Sequence, residues 1–205
     1  DDDTWMSDDQ RREIKLKNEH NIFKEATLYG RPVARAGLVF KVPQELYTYE
    51  ARALDGPSII GIDLPHSSGT FAGVRMTQEA GVWHVEMEWK ASGLQMADYA
   101  EGMKLLGGAR TPISWPHDGG RQGEDGVTAA ESYRQMGLNM LPRCASMIGA
   151  DGKRHRSVVT VIEQLCQAFS DGTLKVSNDC PALLKELTRY RWLEGQPGKK
   201  PKRAD

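Results

Sequence analysis

Two aspartates stand where the chain could do chemistry. Asp63 closes the apolar run Ser58-Ile59-Ile60-Gly61-Ile62, and Asp118 follows Thr111-Pro112-Ile113-Ser114-Trp115-Pro116-His117. A carboxylate at the end of a core strand is costly unless it is paired, hydrogen-bonded or bound to a cation. If the two strands are parallel neighbours, both carboxylates emerge at one sheet edge, where the sites of open α/β sheets gather. Two such charges repel each other until something cationic sits between them. Hard oxygen donors suit magnesium or manganese, and a pair of such ions about 4 Å apart can clamp a phosphodiester and activate water. Asp63 also suits a plain turn or capping role, because Pro65, His66, Ser67, Ser68 and Gly69 follow it.

Other side chains divide between chemistry and structure. Strand alternation turns His117 away from Asp118 and assigns it a structural role. His66 reads as a turn residue that could also approach a phosphate, and His84 as an exposed strand residue. Glu86 and Glu88 read as the polar face of a half-buried strand rather than as part of the acidic edge. The run Lys153-Arg154-His155-Arg156 is a candidate for tracking a phosphate backbone, and equally a solvated loop. The basic stretch containing Lys199 and Lys200 has the same two readings. Trp115 and Trp192 are assigned to packing.

These residues need a scaffold. Apolar, β-branched patterning predicts strands over 58–64, about 70–77 and 82–89, joined by tight turns and therefore antiparallel. A helix over 94–105 ends at Gly107-Gly108, and a fourth strand covers 111–115. A Gly-rich charged loop leads to a helix over 128–136, then a short fifth strand over 138–141. Residues 144–156 read as a polar, mobile loop. A helix over 158–169, a short strand at 174–176 and a helix from Pro181 to Trp192 complete the order. Three antiparallel strands followed by αβ units predict a mixed central sheet with helices on both faces, the ribonuclease H-like α/β topology. Ahead of it, residues 1–50 read as a lead-in and 51–205 as the main domain. The lead-in carries a capping box at Ser7 and Gln10, an amphipathic stretch from Ile22 to Tyr29 and a short strand over 37–43.

The 205 residues suit one substantial domain, and 39% hydrophobic with 27% charged residues is the composition of a globular protein. A formal net charge of −1 makes no bulk argument for nucleic acid. Cys144, Cys166 and Cys180 form no C-x-x-C pair, which argues against a zinc site or a disulfide framework. No stretch has the length and apolarity of a membrane span, so no membrane partner is expected.

The chain resembles the C-terminal nuclease domain of the large terminase of tailed bacteriophages, the DNA-packaging motor subunit. The resemblance rests on Gly30-Arg31-Pro32-Val33, Gly37-Leu38-Val39-Phe40, Gly61-Ile62-Asp63 and Pro112-Ile113-Ser114-Trp115-Pro116-His117-Asp118-Gly119. Later matches are Gly172-Thr173-Leu174-Lys175-Val176, Leu187-Thr188-Arg189-Tyr190-Arg191 and Lys202-Arg203-Ala204-Asp205. It implies a metal-dependent endonuclease that cuts concatemeric viral DNA, with an acidic triad on Asp63, Asp118 and Asp205 and two Mg2+ or Mn2+ ions. The family usually places adjacent aspartates at the third position, so Asp205 or a residue after it is the implied ligand. The implied partners are double-stranded DNA, the ATPase domain of the same full-length protein, the small subunit and the portal, in the host cytoplasm. A junction resolvase, or a non-catalytic module that grips DNA or docks on the portal, would share much of this pattern. The phosphate-binding loop G-x-x-x-x-G-K-[S/T] does not occur in this sequence.

Overall fold

The computed structural model describes residues 37–65, 69–122, 126–148, 154–155 and 158–192. The expected helices before residue 37, His66 and the basic tail lie outside the described residues. By its contacts the chain divides into two units, residues 42–188 and the paired segments 1–41 and 189–205.

The larger unit is built on six strands in the order β1-β8-β4-β3-β2-β5. These are β1 (Thr48–Tyr49), β2 (Ser58–Asp63), β3 (Thr70–Glu79), β4 (Val82–Ser92), β5 (Ile113–Ser114) and β8 (Leu174–Ser177). The meander β2-β3-β4 is antiparallel, whereas β5 runs parallel to β2, and β8 parallel to both β4 and β1. Between β3 and β4 the chain reverses through Ala80 and Gly81, both at positive φ (49° and 81°), the twist a two-residue hairpin needs. One bulge interrupts this pair at Arg75/Met76. It leaves Glu86 as the extra residue, where it accepts a hydrogen bond from Thr77 and pairs with Arg75 at 2.7 Å.

One sheet face carries Ile60, Phe71 and Trp89 against α2 (Met96–Leu105) and α3 (Ala129–Gln135), in a core with Tyr99, Met103, Ile113, Trp115 and Tyr133. Phe71 stacks on Tyr99 at 5.0 Å and meets Tyr133 edge-on at 5.9 Å. Helix α2 lies so close that a Cβ on Gly102 would stand 2.2 Å from the Trp89 ring. Elsewhere α1 (Gln44–Tyr47) packs on α4 (Val158–Ser170) through Tyr47 and Phe169, whose ring centroids are 4.6 Å apart, and both touch β8.

Helix α5 (Pro181–Arg189) is tied to the face opposite that core. Glu88 points there, since it is level with Val74 and, through it, with Gly61 rather than Ile60. Its carboxylate accepts the backbone N–H groups of Ala182 and Leu183 at 2.8 and 2.7 Å, filling two of the donor positions a helix start leaves open. Lys90, next on the same face, pairs with Glu186 of α5.

In the smaller unit, Leu38 bridges Arg191 in antiparallel fashion, and Phe40 stacks on Tyr190 at 6.1 Å. The strand expected over 37–43 is therefore this single bridge, flanked by Val39 N–H to the Tyr190 carbonyl and Trp192 N–H to the Gly37 carbonyl.

Three further expectations need correction. The fifth strand over 138–141 is one parallel bridge, Met140 to Ile113, with two flanking hydrogen bonds; Pro142 has no N–H to continue the ladder. Within 144–156, a short antiparallel pair forms, β6 (Met147–Ile148) with β7 (Arg154–His155). His84 is 7% exposed rather than an exposed strand residue, because the Tyr49 ring stands edge-on at 4.9 Å. Burial, with Arg52 nearby, lowers its pKa below the usual histidine value.

Candidate metal centre

The site is assembled by the parallel pairing of β2 with β5. Register places Ile60 beside Ile113 and Gly61 beside Ser114. Both strands therefore deliver their carboxyl ends to the same edge. Two residues past Gly61 the chain reaches Asp63, and two residues past Ser114 it reaches Pro116. Pro116 then caps a short 3-10 turn, His117–Gly120, whose second residue is Asp118. Proline fits that entry because its fixed φ and missing N–H suit the residue before a helical turn.

Packing brings the two aspartate segments together. Gly119 lies against Leu64, so each contact residue directly follows an aspartate. A Cβ on Gly119 would stand 2.8 Å from Leu64 Cδ1 and 3.0 Å from Trp115 Cε3. The Trp115 ring has the less freedom to retreat. Leu64 is buried in the core, and Trp115, also buried, donates its indole N–H to the Leu141 carbonyl at 2.7 Å. The Asp118 carbonyl accepts from Arg121 N–H at 3.0 Å, closing the turn.

The two carboxylates sit in different surroundings. Asp63 is exposed, and it lies on the sheet face that carries α5. Asp118 is half-buried, with its Oδ1 shielded from solvent. The donor set is oxygen alone, which suits a hard divalent ion. Burial pushes the Cys166 thiol up to about 11 and the Cys180 thiol up to about 12, which disfavours the thiolates that metal binding needs. Among the described residues, no three His, Cys, Asp or Glu side chains gather closely enough to hold a metal ion. Asp63 and Asp118 are the two candidate oxygen donors at this edge.

Of the other residues singled out in the sequence, His117 is exposed in the turn, and Trp115 is core. Glu86 and Glu88 are engaged with Arg75 and with α5, as polar strand residues rather than members of the acidic edge. Arg154 lies on β7. Asp205, Lys153, Arg156, Lys199 and Lys200 lie outside the described residues. The close approach of Gly119 to Leu64 was not legible in the sequence, where Gly119 is one glycine in a Gly-rich loop.

Comparison with known proteins decides the family. The model of the terminase RNaseH-like domain matches residues 60–204. The chain belongs to that family. Among solved structures, the nuclease domain of the P22 large terminase is similar at 24% identity and TM-score 0.65, over 77% of this chain and 81% of that one. The large terminase nuclease of thermophilic phage G20c, solved with bound magnesium, is similar at 16% identity and TM-score 0.53, over 79% and 84%. The large terminase of another thermophilic bacteriophage, solved in complex with ADP, is similar at 14% identity and TM-score 0.61. That match covers 92% of this chain and 45% of the ADP-bound one, so this terminase domain spans under half of that protein. Among curated protein sequences, none is significantly similar. At these identities the structural matches carry the fold: a mixed six-stranded RNase H-like sheet with helices.

Proposed function

We propose that this terminase domain is a divalent-metal-dependent DNA endonuclease that cuts concatemeric viral DNA during genome packaging. The observation that carries the reading is the convergence of Asp63 and Asp118 at one sheet edge, fixed by the β2/β5 register and by Gly119 against Leu64. The magnesium-bound G20c nuclease supports it as a structural relative.

Asp63 and Asp118 would hold the metal, with Asp205 or a residue following it as the third ligand. Bound magnesium or manganese, two ions by preference, supplies Lewis acidity toward the phosphodiester and toward the attacking water. The chain's own contribution is positional. The half-buried Asp118 would present one carboxylate from a 3-10 turn, whereas exposed Asp63 would leave room for a substrate phosphate. Hydrolysis would leave a 3′ hydroxyl. Lys153, Arg154, Arg156, Lys199 and Lys200 are proposed contacts to the DNA backbone, a sequence-independent grip. The segment before β1 would lead from an ATPase domain of the full-length protein, and the small subunit and portal would be further partners, in the host cytoplasm.

The test is plasmid cleavage with Mg2+, Mn2+, Ca2+ or EDTA, with Asp63→Asn and Asp118→Asn alongside. Cutting in Mg2+ or Mn2+ that EDTA and each variant abolish is the expected result. Undiminished cutting by a folded Asp63→Asn protein would overturn the assignment. DNA binding without cutting in any metal would favour a gripping module instead.

A further inference from the structure

The sheet carries a cation in line with Asp63. Asp63 is paired with Ala72 across β2/β3, and Ala72 with Lys90 across β3/β4. Directly opposed residues of antiparallel strands point to the same face. Asp63, Ala72 and Lys90 therefore form a row at right angles to the strands, about 10 Å long at two inter-strand spacings. The bulge at Arg75/Met76 lies beyond this row and leaves it in register. Only Ala72 separates the two charges along the row. Ala72 is half-buried, and a Cβ on Gly61 would meet nothing nearer than Val74 Cγ2 at 3.9 Å. Along the row, Asp63 stands at one side of Ala72 and Lys90 at the other.

Lys90 is held by an acid that is itself exposed. It pairs with Glu186 of α5, with side-chain exposures of 41% for Lys90 and 48% for Glu186. Glu88, the nearest acid on its own strand face, is occupied by the N–H groups of Ala182 and Leu183. An exposed ion pair is worth little, so a phosphate can take Lys90 from Glu186 without unfolding anything.

We propose that Lys90 is a DNA-contact residue that takes a backbone phosphate one or two nucleotide steps from the one held at Asp63 and Asp118, and that Glu186 is its built-in competitor. The proposal rests on the endonuclease reading and names how that site grips its substrate. Lys90 orients the strand across Ala72, and Glu186 keeps the contact weak until DNA arrives.

The two halves of the pair give opposite signs, which a merely structural salt bridge would not. Affinity for a short DNA duplex is measured in Ca2+, across a range of salt, for the domain and for Lys90→Gln and Glu186→Gln. Lys90→Gln should weaken binding and lower the salt slope by about 0.9, the loss of one phosphate contact. Glu186→Gln should tighten binding about two- to five-fold, the scale of an exposed ion pair released. Equal losses in both variants, or no change in either, would overturn the proposal. Thermal melting of both variants identifies any loss of folding, and Lys90→Arg, which keeps the charge, should retain the salt slope. Cleavage of plasmid in Mn2+ by the unsubstituted domain is read separately. If it cuts while the substitutions leave binding unchanged, the endonuclease reading stands and the Lys90 proposal falls. If it does not cut while the opposite signs persist, Lys90 grips DNA and the endonuclease reading falls.

Discussion

Replacing Gly119 by alanine tests whether packing under the turn positions Asp118. Carbon atoms at rest sit about 3.5–4.0 Å apart, and the new Cβ would stand 2.8 Å from Leu64 Cδ1 and 3.0 Å from Trp115 Cε3. Relief requires the turn to move by roughly 0.5–1 Å, since the Trp115 ring is pinned by its hydrogen bond to Leu141. Overpacking of this kind costs about 1–3 kcal/mol, partly offset by about 0.4–1 kcal/mol from a less flexible unfolded chain. The net loss, at most about 2.6 kcal/mol, is one a domain of this size survives. Metal binding is less forgiving, because ligand distances hold within about 0.2 Å. Manganese affinity measured by calorimetry should therefore fall at least about ten-fold, on the scale of lost support around a ligand. Gly120→Ala is the control, because its Cβ would meet the same ring at 3.7 Å, an ordinary contact. Equal manganese affinity for the two variants would show that the packing of Gly119 does not position Asp118.

Four other substitutions or treatments bear on the same structure. Glu88→Ala removes two charge-assisted bonds to the start of α5, at 2.8 and 2.7 Å, and should cost about 2–3 kcal/mol in urea unfolding, with Glu88→Gln recovering part. Gly102→Ala places a Cβ 2.2 Å from Trp89, so the overpacking cost of about 1–3 kcal/mol should exceed the helix-propensity gain of about 1 kcal/mol and lower the melting temperature. In the folded protein at pH 8.5, iodoacetamide should modify Cys144 ahead of Cys166 and Cys180, whose buried thiols titrate only near 11 and 12. By the same shifts, stability should fall as pH rises from 9 toward 11, because the unfolded thiols release protons that the folded ones keep.

The sequence showed clearly those parts of the fold whose local pattern and tertiary role agree. The strands β2, β3 and β4 alternate or run apolar, turn at residues such as Ala80-Gly81, and appear where the pattern puts them. The same pattern let Asp63 and Asp118 be read as a pair, because β2 and β5 do run parallel side by side. What stayed hidden depends on long-range partners. β1 is two residues long and exists because β8 pairs with it. β8 was legible as a strand, but its place between β1 and β4 was not. The burial of His84 comes from Tyr49, 35 positions away in the chain. Glu88 read as part of the polar face of a half-buried strand, yet its role is set by a helix that starts at Pro181. Gly119 and Lys90 owe their significance to contact and register, which no local pattern encodes.

The most direct test of the account is an anomalous-scattering map from crystals of this domain grown with Mn2+. A manganese peak touching carboxylate oxygens of both Asp63 and Asp118, lost in Asp118→Asn crystals, is the expected result. A map with no manganese at that edge, or with manganese bound elsewhere while the same protein cuts DNA, would contradict it.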